Sequence, residues 1–213
     1  MFDKRNRLVF VGDSITDCNR NYNTTVGAVD SLGQGYVSLI NAYTTAFHPE
    51  KELMIINQGV GGNRVTDLKA RWQDILDLKP DYLTIMIGIN DVWRHFDNKF
   101  TQIEQVNKTL FEQTYTELII QSLAIHSKII LLSAFMLEAN NLDPMKQMVA
   151  EYNEITKKIA ANFSLTYIDI QAEMDKFTAI QSSYALSSDR VHLSLPGHAI
   201  IAKSWLEAVD LDR

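Results

Sequence analysis

Along most of this chain, short apolar runs alternate with longer stretches in which apolar residues recur every three or four positions, and that alternation most narrows the possible folds. Residues 8–11, 53–56, 82–87, 128–133 and 165–170 read as strands. The first, Leu8-Val9-Phe10-Val11, is apolar at every position, as a strand buried on both faces must be. Residues 36–47, 65–78, 103–126 and 145–163 carry helical periodicity, and a closing helix is expected over 196–209. A β-α-β-α order predicts a parallel sheet, because parallel neighbours require a crossover and the crossover is right-handed. The expected architecture is a three-layer α/β/α sandwich around a five-stranded parallel sheet. Pro80 separates the second helix from the third strand, and Pro144 falls in the first turn of the fourth helix.

That arrangement is flavodoxin-like. A chain of 213 residues, 46% hydrophobic and 22% charged, supplies one such unit with a full core, so residues 1–213 are expected to form a single domain. A formal net charge of -6 without a basic stripe argues against nucleic acid as a partner. The N-terminal apolar run is far shorter than the ~7–15 residues of a secretion signal core. No run approaches the ~20 apolar residues of a membrane span, so no membrane partner is expected. The single cysteine, Cys18, excludes an internal disulfide and fits a reducing cytoplasm. Self-association into a homo-oligomer is expected, with no copy number legible.

Three expected strands end in a polar or glycine-rich phrase: Gly12-Asp13-Ser14 after the first, "NQGVGGNR" after the second and "GIND" after the third. In a parallel sheet all three meet at one rim, the carboxyl ends of the strands, where open α/β sheets bind ligands. A fourth phrase, "SSDRVHLSLPGH", places Asp189 and His192 three residues apart just before the closing helix. Acyl transfer from an ester needs a hydroxyl nucleophile, a base, an acid to orient the base, and donors for the developing oxyanion. The rim supplies each part. Ser14 would attack, His192 would take and return its proton, and Asp189 would hold the imidazole tautomer. The oxyanion donors would be the Ser14 and Gly62 backbone amides and the Asn90 side chain. Trp93, Tyr184, Asn63 and Arg64 are candidates for the mouth of the site, offering an aromatic face and polar groups to a substrate.

These four phrases, in this order, resemble the four blocks of the SGNH hydrolases, also called GDSL esterases and lipases. Ser14 stands in "GDSI", Gly62 in "NQGVGG", Asn90 in "GIND", and Asp189 with His192 in "DRVH". "SLGQGYV", "DLKARW", "IMIGINDVWR" and "DRVH" more narrowly resemble intracellular bacterial members that deacetylate xylan-derived sugars. The resemblance implies a metal-independent serine esterase without a cofactor, acting on short acyl esters, with acetylated xylo-oligosaccharides as the favoured substrate class. The sequence departs from the pattern at Ile15, the fourth GDSL letter, and at Leu193, where many relatives carry proline.

Each residue also has a plainer reading. Ser14 could cap a helix. Asp13 reads as a turn-fixing carboxylate, Asp91 as a cap for the segment holding Trp93 and Arg94, and His198 as a packing or capping residue. His48, His95 and His126 read as surface histidines, and Cys18 as a small packing thiol, since no feature lowers its pKa. Arg64 occupies the position of the last glycine of G-x-G-x-x-G, which weakens a nucleotide-binding reading, and no H-E-x-x-H or paired C-x-x-C marks a metal site. Three alternatives remain open at this point: a lysophospholipase or thioesterase on the same scaffold, a non-catalytic module binding an anion at the 59–62 loop, and a metal phosphodiesterase.

Overall fold

The computed structural model describes residues 2–97 and 104–212. Five strands form one parallel sheet: β1 (Arg7–Gly12), β2 (Met54–Gly59), β3 (Tyr82–Met86), β4 (Lys128–Leu132) and β5 (Thr166–Ile168), in the order β2-β1-β3-β4-β5. The helices are α1 (Ser14–Asp17), α2 (Tyr36–Phe47), α3 (Val65–Ala70), α4 (Trp72–Asp77), α5 (Ile89–Trp93), α6 (Lys108–Ala124), α7 (Pro144–Asn162), α8 (Ile170–Thr178) and α9 (Leu195–Ala208).

The order explains the layers. The chain leaves β1 toward β2 in one direction, then crosses back to β3 and onward to β4 and β5 in the other. Right-handed crossovers therefore put α2 on one face of the sheet and α3, α6 and α7 on the opposite face. Packing agrees: α2 and α8 lie against α9, while α6 packs on α3 and α7. This is the expected three-layer arrangement. The direction reverses between β1 and β3, so the crevice at their carboxyl ends is the switch point of the sheet.

Both central strands are buried on both faces: Leu8 to Gly12 of β1 and all of β3. Trp205 of α9 is completely buried and stands against Phe10 with ring centroids 5.3 Å apart. Its indole N–H donates to Thr84 Oγ1 of β3 (3.1 Å), which satisfies the one polar atom of a large apolar side chain. Truncating such a residue costs about 3–5 kcal/mol. The anchor has a positional consequence, because the segment carrying Asp189 and His192 runs directly into α9.

Several boundaries differ from the sequence reading. The stretch 65–78 is two helices broken at Arg71, whose backbone leaves the helical region (φ -119°, ψ 16°). The fifth strand stops at Ile168, because Asp169 accepts from the Ala172 amide (3.0 Å) and so begins α8, a helix the apolar pattern concealed. The helix expected from residue 103 begins at Lys108, capped by Asn107 on the Leu110 amide (2.9 Å); residue 103 itself lies outside the described residues. Among the described residues, no helix is long and apolar enough to cross a membrane.

Candidate active site

Strand register sets the site. Gly12 pairs with Gly59 of β2 and with Met86 of β3, so the three phrases emerge level with one another. Gly12 and Gly59 admit no side chain: a Cβ on Gly12 would sit 2.4 Å from the Met86 carbonyl oxygen, and one on Gly59 would sit 2.1 Å from the Asp17 amide. That close approach lets α1 begin directly over the sheet end. Asp13 caps α1 by accepting from the Ile15 amide (3.0 Å), and Ser14 is its first residue. The first amides of a helix have no intrahelical acceptor. Because Asp13 satisfies Ile15, the Ser14 N–H stays available.

Ser14 Oγ lies 2.9 Å from His192 Nε2, and His192 Nδ1 lies 2.6 Å from Asp189 Oδ2. The structure thus brings together three residues that span the sequence from position 14 to position 192. Asp189 is held from several sides: its Oδ1 accepts from the Val191 amide (3.0 Å), the His192 amide (2.8 Å) and the Ser187 hydroxyl (3.0 Å). Burial alone would raise this carboxyl, but the bond from the His192 ring and those from Val191, His192 and Ser187 outweigh it. The group is held well below the usual carboxylate range. An ionised Asp189 accepts only, so Nδ1 of His192 carries the proton, Nε2 accepts, and the Ser14 hydroxyl donates to it.

The segment bearing this pair is closed by an antiparallel bridge between Ser187 and Leu193 and tied to the rest of the chain by the Leu137 amide donating to the Arg190 carbonyl (2.8 Å). Arg190 takes a left-handed conformation (φ 72°) and pairs with Glu138 (2.7 Å). Leu193, where many relatives carry proline, packs its side chain on Gly197: a Cβ there would lie 2.8 Å from the Leu193 Cδ2.

The expected oxyanion donors face the same rim. Gly62 has φ +79°, a conformation that favours glycine. Among the described residues, neither the Gly62 nor the Ser14 amide meets a protein acceptor. Asn90 is buried (5% exposed), and its Nδ2 donates to the Asn63 carbonyl (3.2 Å), which fixes the amide plane and leaves a second N–H. Gly61 completes the approach: a Cβ there would lie 4.0 Å from that of Ser14.

The four candidates for the mouth separate. Trp93 stands against His192, ring centroids 6.0 Å apart. Asn63 is turned to the protein, its Oδ1 accepting from Arg71 Nε (2.8 Å). Arg64 is also engaged: Nε and Nη2 donate to Asp67 (2.9 and 3.0 Å) and Nη1 to the Glu104 carbonyl (2.6 Å). Tyr184 is 81% exposed on a 3-10 turn, its amide bonded to Ser182 Oγ (3.4 Å). The sequence reading missed Arg94, which pairs with Asp97 and whose Nη2 would lie 3.8 Å from a Cβ on Gly62. Its separation from Gly62 along the chain hid it.

Other plain readings change too. Asp91 does not cap its own segment; both its oxygens accept from the Val65 amide (3.1 and 3.2 Å) and cap α3 instead. Burial raises Asp13 and Asp91 to about 7 each. His48 and His95 are half-buried, with Nε2 at the Leu211 carbonyl (2.9 Å) and the Val106 carbonyl (3.2 Å). His198 does pack: it is 3% exposed, its Nδ1 accepts from the Tyr36 amide (3.3 Å), and its Nε2 meets Cys18 Sγ (3.3 Å). Burial raises the Cys18 thiol from its ordinary value, which disfavours the thiolate.

With that geometry in view, residues 10–200 match the model of the GDSL-like lipase/acylhydrolase family. The chain belongs to this family. It is accordingly a carboxylic ester hydrolase. An acetylxylan esterase of Geobacillus stearothermophilus is 38% identical over 207 residues, covering 97% of this chain and 94% of that protein. The crystal structure of Axe2, an acetylxylan esterase from the same organism, superposes with a TM-score of 0.93 at 37% identity, covering 98% of this chain and 95% of Axe2. LAE5, an alpha/beta hydrolase enzyme from the metagenome of Lake Arreo, Spain, superposes with a TM-score of 0.95 at 37% identity, covering 100% and 98%. Solved variants of Axe2 described as catalytic mutants replace a serine, an aspartate and a histidine by alanine, the latter two three residues apart.

Proposed function

We propose that this ester hydrolase is a serine acetylesterase that removes O-acetyl groups from xylo-oligosaccharides through an acyl-enzyme on Ser14. The observation that carries the reading is the hydrogen-bonded line from Ser14 Oγ to His192 Nε2 (2.9 Å) and from His192 Nδ1 to Asp189 (2.6 Å). Ser14 Oγ attacks the ester carbonyl carbon while its proton passes to His192 Nε2. The imidazolium that forms is stabilised by Asp189, which is already ionised and held by three further donors. Negative charge on the former carbonyl oxygen is met by the Ser14 and Gly62 amides and the second N–H of Asn90, groups oriented before substrate arrives. Collapse expels the sugar alcohol, protonated by His192. Water then repeats the sequence on the acetyl-serine, and acetate and free Ser14 result.

Support for the sugar substrate is of two kinds. The His192 side chain is 52% exposed and borders Trp93, so the nucleophile opens on an aromatic surface at the molecular rim, a setting for a carbohydrate rather than for a long acyl chain. The acetylxylan esterase relative matches across nearly its whole length. A single domain working as a homo-oligomer in the cytoplasm, without metal or cofactor, completes the proposal. Acetate release from acetylated xylo-oligosaccharides by wild type and Ser14→Ala, beside nitrophenyl esters of increasing acyl length, tests it. Acetate release lost in the variant and fastest turnover on the acetyl ester are expected; best turnover on long acyl chains would move the assignment to a lipid esterase or thioesterase.

A further inference from the structure

Arg71 belongs to "DLKARW", a phrase that the ester chemistry leaves unused, and it stands where the helical stretch 65–78 breaks. Neither glycine nor proline marks that break. Its side chain supplies a reason. Nε donates to Asn63 Oδ1 (2.8 Å), and Nη2 donates to the Gln58 carbonyl (2.9 Å) and, at longer range, to the Gly12 carbonyl (3.4 Å). Gly12 precedes Asp13-Ser14. Gln58 precedes the loop of Gly62, and Asn63 follows it. The Asn63 carbonyl in turn accepts from Asn90 Nδ2 (3.2 Å). One guanidinium therefore reaches all three phrases that carry the oxyanion donors, two directly and the third through Asn63.

Holding the sheet together does not require this. The ends of β1 and β2 are already joined in register at Gly12 and Gly59, and the Asn63 bond lies beyond both strands. The arrangement is also costly. Arg71 is half-buried, and among the described residues its hydrogen bonds go to neutral oxygens with no carboxylate in ion-pair contact. Burial lowers its basicity from the ordinary value without removing its charge. The loop it grips belongs to no strand or helix over residues 60–64, and Gly62 is left-handed. The Val60 amide on the Gly12 carbonyl (3.1 Å) and the Gly61 amide on Asp17 Oδ2 (3.2 Å) hold its near side, and Arg71 holds the far side at Asn63.

We infer that Arg71 is a positioning residue, a brace that holds the Gly62 amide and the Asn90 side chain at a fixed place relative to Ser14; the inference rests on the esterase reading above. Arginine suits the task because two N–H groups on one edge of a rigid plane reach two acceptors at once, whereas lysine offers a single point. A brace of this kind acts on the transition state and leaves substrate binding nearly unchanged, so its removal separates kcat from KM.

The test is kcat and KM for nitrophenyl acetate with wild type, Arg71→Lys, Arg71→Met, Asn63→Ala and the Arg71→Met/Asn63→Ala double variant, with Ser14→Ala as the reference for the reaction. Deleting an oxyanion donor outright costs about 10²- to 10³-fold in kcat, so displacing donors is expected to cost about 10- to 100-fold, with KM within about threefold. Arg71→Lys keeps the charge and the fold but loses the fork, and should fall at least about fivefold; it carries the test where Arg71→Met does not fold. In the Asn63→Ala background the Arg71→Met change should cost less than alone, because the Arg71–Asn63 bond is already gone and only the contacts to the Gln58 and Gly12 carbonyls remain to be lost. Wild-type turnover that Ser14→Ala abolishes, combined with unchanged kcat in Arg71→Lys or with a loss confined to KM, overturns the brace and leaves the esterase reading intact. Absence of Ser14-dependent turnover in the wild type overturns both.

Discussion

Replacing Asp189 by asparagine tests the proposed proton path at its most constrained atom. The Asp189 Oδ1 position accepts from the Val191 and His192 amides and the Ser187 hydroxyl, at 2.8–3.0 Å. Three donors there select the carbonyl oxygen of an asparagine, so its NH2 must take the place of Oδ2, 2.6 Å from His192 Nδ1. Facing a donor, Nδ1 must become the acceptor, and the ring proton moves to Nε2. In that tautomer His192 can no longer take the proton of Ser14, although its position is unchanged. The analogous change in a Ser-His-Asp serine protease lowers kcat about 10⁴-fold, which corresponds to about 5.4 kcal/mol in the barrier. Asp189→Ala removes the orienting group without imposing the wrong tautomer and should be no more damaging than Asp189→Asn. The assay is kcat on an acetyl ester, with thermal unfolding as the control for folding. An Asp189→Asn enzyme within tenfold of wild type, or far more active than Asp189→Ala, would refute the tautomer argument.

Two further outcomes follow from the same geometry. Asn90→Ala removes one oxyanion donor and should lower kcat about 10²- to 10³-fold with little change in KM, measured by steady-state kinetics. His198, lowered by burial to about 4, stays neutral in the fold while its unfolded counterpart protonates near 6.5, so the unfolded state binds more protons between those values and stability must rise with pH across that window. Denaturant titrations of wild type and His198→Gln should show a difference growing by roughly 2–3 kcal/mol from pH 4 to 6.5. Asp13 and Asp91, raised by burial to about 7, act with the opposite sign but are common to both proteins and cancel. A flat difference curve would show that His198 is not held neutral.

The sheet and the three strand-end phrases were legible because double-sided burial leaves a continuous apolar signature, interrupted by glycines where the chain must turn. Short helices were not. α1 and α5 have four and five residues, below the length at which periodicity can register, and α1 is held by its Asp13 cap and by the packing of Gly59 against Asp17. The break at Arg71 has a tertiary cause, carbonyls and an amide oxygen brought from other parts of the chain, and no local residue announces it. Arg64 shows the converse. Read alone after "GGN" it resembles a ligand-binding arginine, yet Asp67 one helical turn later engages its guanidinium. Asn63 likewise turns toward Arg71, so of the four residues expected at the mouth it is Trp93 that borders His192. Order and spacing of the blocks located the Ser14, His192 and Asp189 cluster, whereas the surrounding rim depended on pairings that only the folded chain reveals.

The central claim concerns a covalent bond, and rapid-quench mass spectrometry after mixing with an activated acetyl ester looks for it directly. The tryptic segment that holds Ser14 also holds Thr16 and Cys18, so fragmentation must assign the added acetyl group to a residue. Acetyl on Ser14, formed at least as fast as turnover and absent from Ser14→Ala, is the expected result. Turnover with the acetyl group on Cys18, or with Ser14 unmodified while Ser14→Ala remains active, would contradict it.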